Sequence, residues 1–230
     1  MHRFLYLIAI LFIHVAVQPV HARVDSVSLS FAPNGLTPFE NPLLATNNHL
    51  NQLFPSPPCG SRILLWDGQR FSPSARYIAG SGWDINLELK PGTGAFFQSL
   101  SASFFTNTFT GTVLNHDGTP LPGGGLPSPS SPPAGYYLLG DKSPVSSTGT
   151  DIFLNVLGRM PAAGEQLLRW NISAQAYDAS TYQGGGIWST PPPTLNVGEG
   201  AFFVLIPEPS AATLALLGLG LLGTHRRRKR

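Results

Sequence analysis

Chemistry would have to come from few side chains. Eleven carboxylates lie between residues 23 and 207. Hydrolysis of a glycosidic bond needs two of them facing one bond, and no spacing here forms a recognised pair. Asp84 and Glu88 come nearest and read as turn or surface acids. His49 and His116 are the body's two histidines, too isolated for a metal site, and neither His-Glu-x-x-His nor Gly-x-Ser-x-Gly occurs. His116-Asp117-Gly118 reads as a turn. Cys59 is the lone cysteine, which excludes an internal disulfide and disfavours a cysteine zinc site. It is expected to be a small buried apolar residue. Gly92-Thr93-Gly94 and Gly198-Glu199-Gly200 resemble phosphate loops only superficially, because a strand and not a helix should follow them. The four tryptophans remain. Trp66 and Trp170 read as core. Trp83 and Trp188 lie in Gly-rich loops, and read either as core or as exposed platforms that stack on sugar rings. No catalytic residue, metal ligand or cofactor site is assigned, and a non-enzymatic protein is expected.

Composition says what can position these residues. Gly 25 and Pro 22 together make up about a fifth of the 230 residues, against roughly 12% on average. Charged residues are only 11%, too few for long surface helices. Short strands joined by Gly, Pro, Asn and Ser turns are expected. The net charge of +2 misleads. Arg3 and the basic residues 226–230 account for six of the fourteen positive side chains, and Glu208 for one of the twelve acids. Residues 23–207 therefore hold eight basic and eleven acidic side chains, and no basic face for nucleic acid.

Residues 1–22 read as an export signal. Arg3 starts it, Phe4 to Val17 is apolar except for His14, and Pro19 breaks the run. Val20-His21-Ala22 supplies small residues at −3 and −1, so cleavage is expected after Ala22.

The C-terminus has three parts in order. Pro207-Glu208-Pro209 comes first, then the run 211–223, apolar or small apart from Thr213, then the cluster Arg226, Arg227, Arg228, Lys229 and Arg230. Six leucines in the run favour membrane insertion by about 3 kcal/mol. It is short of the ~20 residues of a comfortable span, but flanking arginines extend its reach. Basic residues stay cytoplasmic, so the body should lie outside. Prolines lack an N–H, so the transmembrane helix should begin only after them. This arrangement resembles the PEP-CTERM sorting signal of Gram-negative bacteria. The resemblance covers residues 207–230 and implies recognition and cleavage near Pro207–Pro209 by an exosortase. It also implies an inner-membrane stage, then release to the cell surface or extracellular matrix, often with exopolysaccharide.

Between the two ends the chain repeats itself. Leu50-Asn51-Gln52-Leu53 returns as Leu154-Asn155-Val156-Leu157, and Ile63-Leu64-Leu65-Trp66-Asp67 as Leu167-Leu168-Arg169-Trp170-Asn171. Trp83 returns as Trp188, and Gly92-Thr93-Gly94-Ala95-Phe96-Phe97 as Gly198-Glu199-Gly200-Ala201-Phe202-Phe203. Each unit should hold a short helix (47–54, capped by Asn47; 151–157, capped by Thr150 or Asp151). A strand ending at the first Trp, an aromatic strand (69–79; 174–183), a Trp loop and a Phe-Phe strand should follow. Two more strands are expected over 98–115, and a short one at 135–140. Residues 117–134, rich in Pro and Gly, read as a flexible or polyproline linker.

The expected architecture is all-β: two sandwich- or barrel-like repeats with short helices, plus a C-terminal hydrophobic helix. Residues 1–22 are the signal peptide, 23–116 and 135–206 the repeats, 117–134 the linker and 207–230 the sorting signal, with its helix at 211–223. Carbohydrate binding through exposed Trp83 and Trp188 is the alternative function.

Overall fold

The computed structural model describes residues 24–114, 133–142, 145–174, 176–189 and 192–207. The export signal, most of the linker, His116, and the sorting signal beyond Pro207, including 211–223, lie outside the described residues.

Among the described residues the architecture is antiparallel β with two short helices. The strands are β1 (Val24–Phe31), β2 (Leu36–Glu40), β3 (Arg62–Trp66), β4 (Phe71–Ile78), β5 (Gly82–Trp83), β6 (Gly94–Gln98), β7 (Phe105–Thr112), β8 (Gly135–Gly140), β9 (Ser147–Thr148), β10 (Gln166–Asn171), β11 (Ala176–Gly184), β12 (Ile187–Trp188), β13 (Thr194–Leu195) and β14 (Gly200–Leu205). The helices are α1 (Leu50–Leu53) and α2 (Thr150–Leu157). One five-stranded sheet runs β2-β6-β3-β4-β5 and the other β8-β14-β10-β11-β12, so the two have the same strand order. The recurring sequence blocks fall on matching strands: Trp66 closes β3 and Trp170 lies in β10, while Gly94–Phe97 opens β6 and Gly200–Phe203 opens β14. A separate ribbon, β1 paired with β7, lies alongside the first sheet.

Both faces of the Phe-Phe strands are covered, which suits a chain with so little charge. Strand alternation sends adjacent residues to opposite faces. Phe97 joins the first core with Leu50, Phe54, Ile63 and Trp83, and the ribbon adds Phe31 and Phe109. Phe203 joins the second with Phe153, Leu157, Leu167 and Trp188. Their neighbours Phe96 and Phe202 turn the other way and meet Leu138 in a third cluster between the sheets.

Several local expectations shift. Helix α1 is shorter than 47–54 because Asn47 Oδ1 accepts the His49 N–H at 3.0 Å, an Asx turn that keeps 47–49 out of the helix. The N-cap is therefore His49. Helix α2 is preceded by Gly149, not capped by Thr150 or Asp151, and ends on Gly158 at φ 68, where a left-handed cap favours glycine. Between β6 and residue 114 there is one strand, β7, in place of the two expected over 98–115. Ser99 Oγ accepts the Ser101 N–H and Ser101 Oγ accepts the Ser103 N–H, local bonds that compete with strand pairing.

Candidate functional site

Two features of the fold bear on function: the seam between the sheets and the point where the chain leaves them. The seam is built by the Gly-x-Gly turns. Glu40 N–H donates to the Gly198 carbonyl at 2.9 Å, and Gly140 N–H donates to the Gly92 carbonyl at 3.2 Å. Glu40 pairs with Gly94 in its own sheet and Gly140 with Gly200, so these are equivalent bonds made in opposite directions. A Cβ on Gly94 would come within 2.7 Å of the Leu138 backbone, and one on Gly200 within 2.7 Å of the Phe39 carbonyl oxygen. The bare glycines let one sheet's backbone touch the other's.

Glu40 is buried in this seam. Its Oε2 accepts the Gly92 N–H at 3.1 Å, and Oε1 has no hydrogen-bond partner among the described residues. Burial pushes the Glu40 carboxyl well above its ordinary range. The Gly92 amide pulls it back, Asp141 pushes it further up, and Lys142 and the Gly198 backbone oppose. The other buried or half-buried acids hold structure together. Asp141 accepts from the Ser147 hydroxyl and the Asn155 amide. Glu165 takes both nitrogens of Arg159, at 2.8 and 2.6 Å. Glu199 is held by Arg169 and by Asn196. Asp84 and Glu88 are exposed, and Asp84 Oδ1 accepts the Arg76 N–H. Among the described residues no group of three metal-ligating side chains comes together.

The tryptophans decide between the two readings of the sequence. Trp83 and Trp188 are core residues, 5% and 7% exposed within the two main cores, which corrects the alternative of exposed platforms. The Trp83 indole N–H donates to the Phe54 carbonyl at 3.0 Å, at the end of α1. Each helix packs on its own Trp loop, which covers the ring. Trp66 and Trp170, expected in the core, are half-buried and pack against the cluster between the sheets. Cys59 is exposed, contrary to its expected burial, because it sits in the turn before β3. Sequence reasoning missed Phe71, Tyr136 and Tyr177, which share the inter-sheet surface with Trp66. Phe71 pairs across the hairpin with Trp66 and Tyr177 with Trp170. Their matching places after the two hairpins were the available signal.

The chain leaves the second sheet at the end of β14, an inner strand between β10 and β8. Leu205 is buried, whereas Ile206 and Pro207 are exposed. Residues 205–230 match the PEP-CTERM protein-sorting motif. No curated protein and no solved structure gives a significant match to the chain. The PEP-CTERM motif implies an exported protein, membrane-anchored before an exosortase processes it. No helix of the described residues is long and apolar enough to cross a membrane.

Proposed function

We propose that the protein is a non-enzymatic component of the cell surface or extracellular matrix, released from its membrane stage by cleavage near Pro207–Pro209. The supporting observation is the junction: the sorting motif starts on the last residue of β14, and the next two residues are already exposed. A cut at the prolines leaves all fourteen described strands in the released product. The chemistry of the acids other than Glu40 supports a structural body, since Asp141, Glu165 and the half-buried Glu199 are engaged by neighbouring donors. The body reads as a duplicated unit, 23–116 and 135–206, joined by 117–134. Its support is the shared strand order and the reciprocal bonds of the seam. The inner membrane is the partner before processing and exopolysaccharide the partner after it.

The test is fractionation of the producing cells with mass spectrometry of the mature ends. The expected surface or matrix form begins at Arg23 and lacks Arg226 to Arg230. A folded chain in the cytosol with both ends intact would overturn the reading.

A further inference from the structure

Where the two sheets meet, the surface opens as a groove of about 460 Å³ whose walls include Trp66, Gln69, Tyr136, Leu168, Tyr177 and Phe202. Its rings brace one another. Trp66 meets Phe202 edge-on at 5.2 Å and Phe71 at 5.0 Å, and Tyr177 meets Phe202 at 5.7 Å. Yet Tyr136 is 51% exposed and Tyr177 is 40% exposed. A contiguous aromatic surface of this kind marks an interaction site. The lining carries no charged side chain. The hydroxyls of Tyr136 and Tyr177 and the side-chain amide of Gln69 make no hydrogen bond among the described residues. The groove therefore offers flat rings with neutral donors between them. That combination matches a polyproline-II segment, whose prolines pack on aromatic faces while its solvated carbonyls accept hydrogen bonds.

We propose that the occupant is this chain's own proline-rich segment, residues 115–132. It contains Pro120, Pro122, Pro127, Pro129 and Pro132. It lies between β7 and β8, and β8 forms one wall of the groove through Tyr136. Two of the first four carbonyls past the segment are held by aromatic donors: Tyr137 Oη–H donates to Pro133 O at 2.8 Å, and Trp66 Nε1–H donates to Tyr136 O at 2.8 Å. At 3.1 Å per residue, the six positions 127–132 cover roughly 19 Å, enough to cross a groove of this size. Tethering sets a local concentration of order mM, so a weak intrinsic affinity suffices to fill the groove. The proposal stands apart from the sorting reading and survives its failure.

The test uses the full-length chain in detergent. A variant with all five prolines of the segment changed to Ser is compared with the natural chain by acrylamide quenching of tryptophan fluorescence. Trp83 and Trp188 are buried, so quenching reports on Trp66 and Trp170. Quenching is expected to rise about two-fold in the variant, and a synthetic peptide of residues 117–134 should reverse it. The natural chain should bind that peptide about tenfold more weakly, because its tethered segment competes. Tyr177→Ala, a change at an exposed position, should abolish peptide binding to the proline variant. Equal quenching in the two chains, equal peptide binding by both, or shielding that appears only as the chain dimerises would each overturn the proposal.

Discussion

The Glu40 side chain lies across the bare α-carbon of Gly140, so that a methyl group there would overlap Glu40 Cβ and Cγ. The two residues occupy equivalent places in the two sheets, each opposite the second glycine of its own Gly-x-Gly turn. One copy carries a long side chain and the other carries none, and the first fills the space the second leaves. The seam is thus complementary where perfect symmetry would leave either a clash or a hole.

Gly140→Ala should destabilise the chain by about 1–3 kcal/mol, the usual cost of overpacking a close contact. Glu40 cannot swing aside, because the overlap falls at the base of its side chain. Gly94→Ala and Gly200→Ala press on backbone and should cost at least as much. Gly35→Ala, whose Cβ would meet only the Pro33 carbonyl at 3.4 Å and Ala32, should stay within about 0.5 kcal/mol. Urea midpoints of the four variants check the ranking, and an indifferent Gly140→Ala would refute the close seam.

Glu40 should also make stability depend on pH in a particular direction. Burial raises its folded pKa above the ordinary 4.5, so the folded chain holds a proton that the unfolded chain releases. Stability is therefore greatest below pH 4.5 as far as this group is concerned, falls as pH rises from there to the folded pKa, and is flat above it. Glu40→Gln removes the ionisation. It should flatten this part of the profile and leave the variant more stable than the natural chain at neutral pH. Urea unfolding at a series of pH values measures both slopes; an unchanged fall in Glu40→Gln would assign it to another group.

The internal repetition was legible because each unit must bury its own helix, its Trp loop and one Phe of each Phe-Phe pair, and those needs recur at the same spacing. The second Phe could not be placed in this way. Phe96 and Phe202 are covered by each other's sheet, and that contact joins residues more than a hundred positions apart. The same gap left Trp83 and Trp188 open between core and platform, and it misplaced Trp66 and Trp170. A Trp in a Gly-rich loop can be given its place only when α1 or α2 folds over it. A Trp in a strand looks buried until the sheet's other face proves to border a groove. Cys59 followed its turn and not the average preference of its type. The sorting motif was legible outright, because its three parts are contiguous.

The two buried indoles should respond differently to removal of their N–H. Trp83 donates to Phe54 O, whereas Trp188 Nε1 has no partner among the described residues. Trp83→Phe loses packing and strands a carbonyl at the end of α1, while Trp188→Phe loses packing alone. Trp83→Phe should therefore cost about 1–2 kcal/mol more. Thermal or urea unfolding of the two single variants decides the point, and equal losses would mean that the Phe54 bond contributes nothing net.

Two ion pairs set a last contrast. The Arg159 guanidinium grips Glu165 with both nitrogens, the carboxylate is 1% exposed, and Ala162 N–H donates to it at 2.9 Å. Arg70 and Asp67 meet at 3.5 Å with the arginine 84% exposed. Removing Arg159 leaves a buried carboxylate without its counter-charge, so Arg159→Ala should cost about 3–5 kcal/mol. Arg70→Ala should cost under about 1 kcal/mol, because water screens the pair. The double change Arg159→Met with Glu165→Leu removes both charges and keeps the volume, so it should recover most of the loss. If it recovers none, the Arg159 effect arises from the hydrogen bonds that the two side chains make to Ala162 and Met160 and not from the stranded charge.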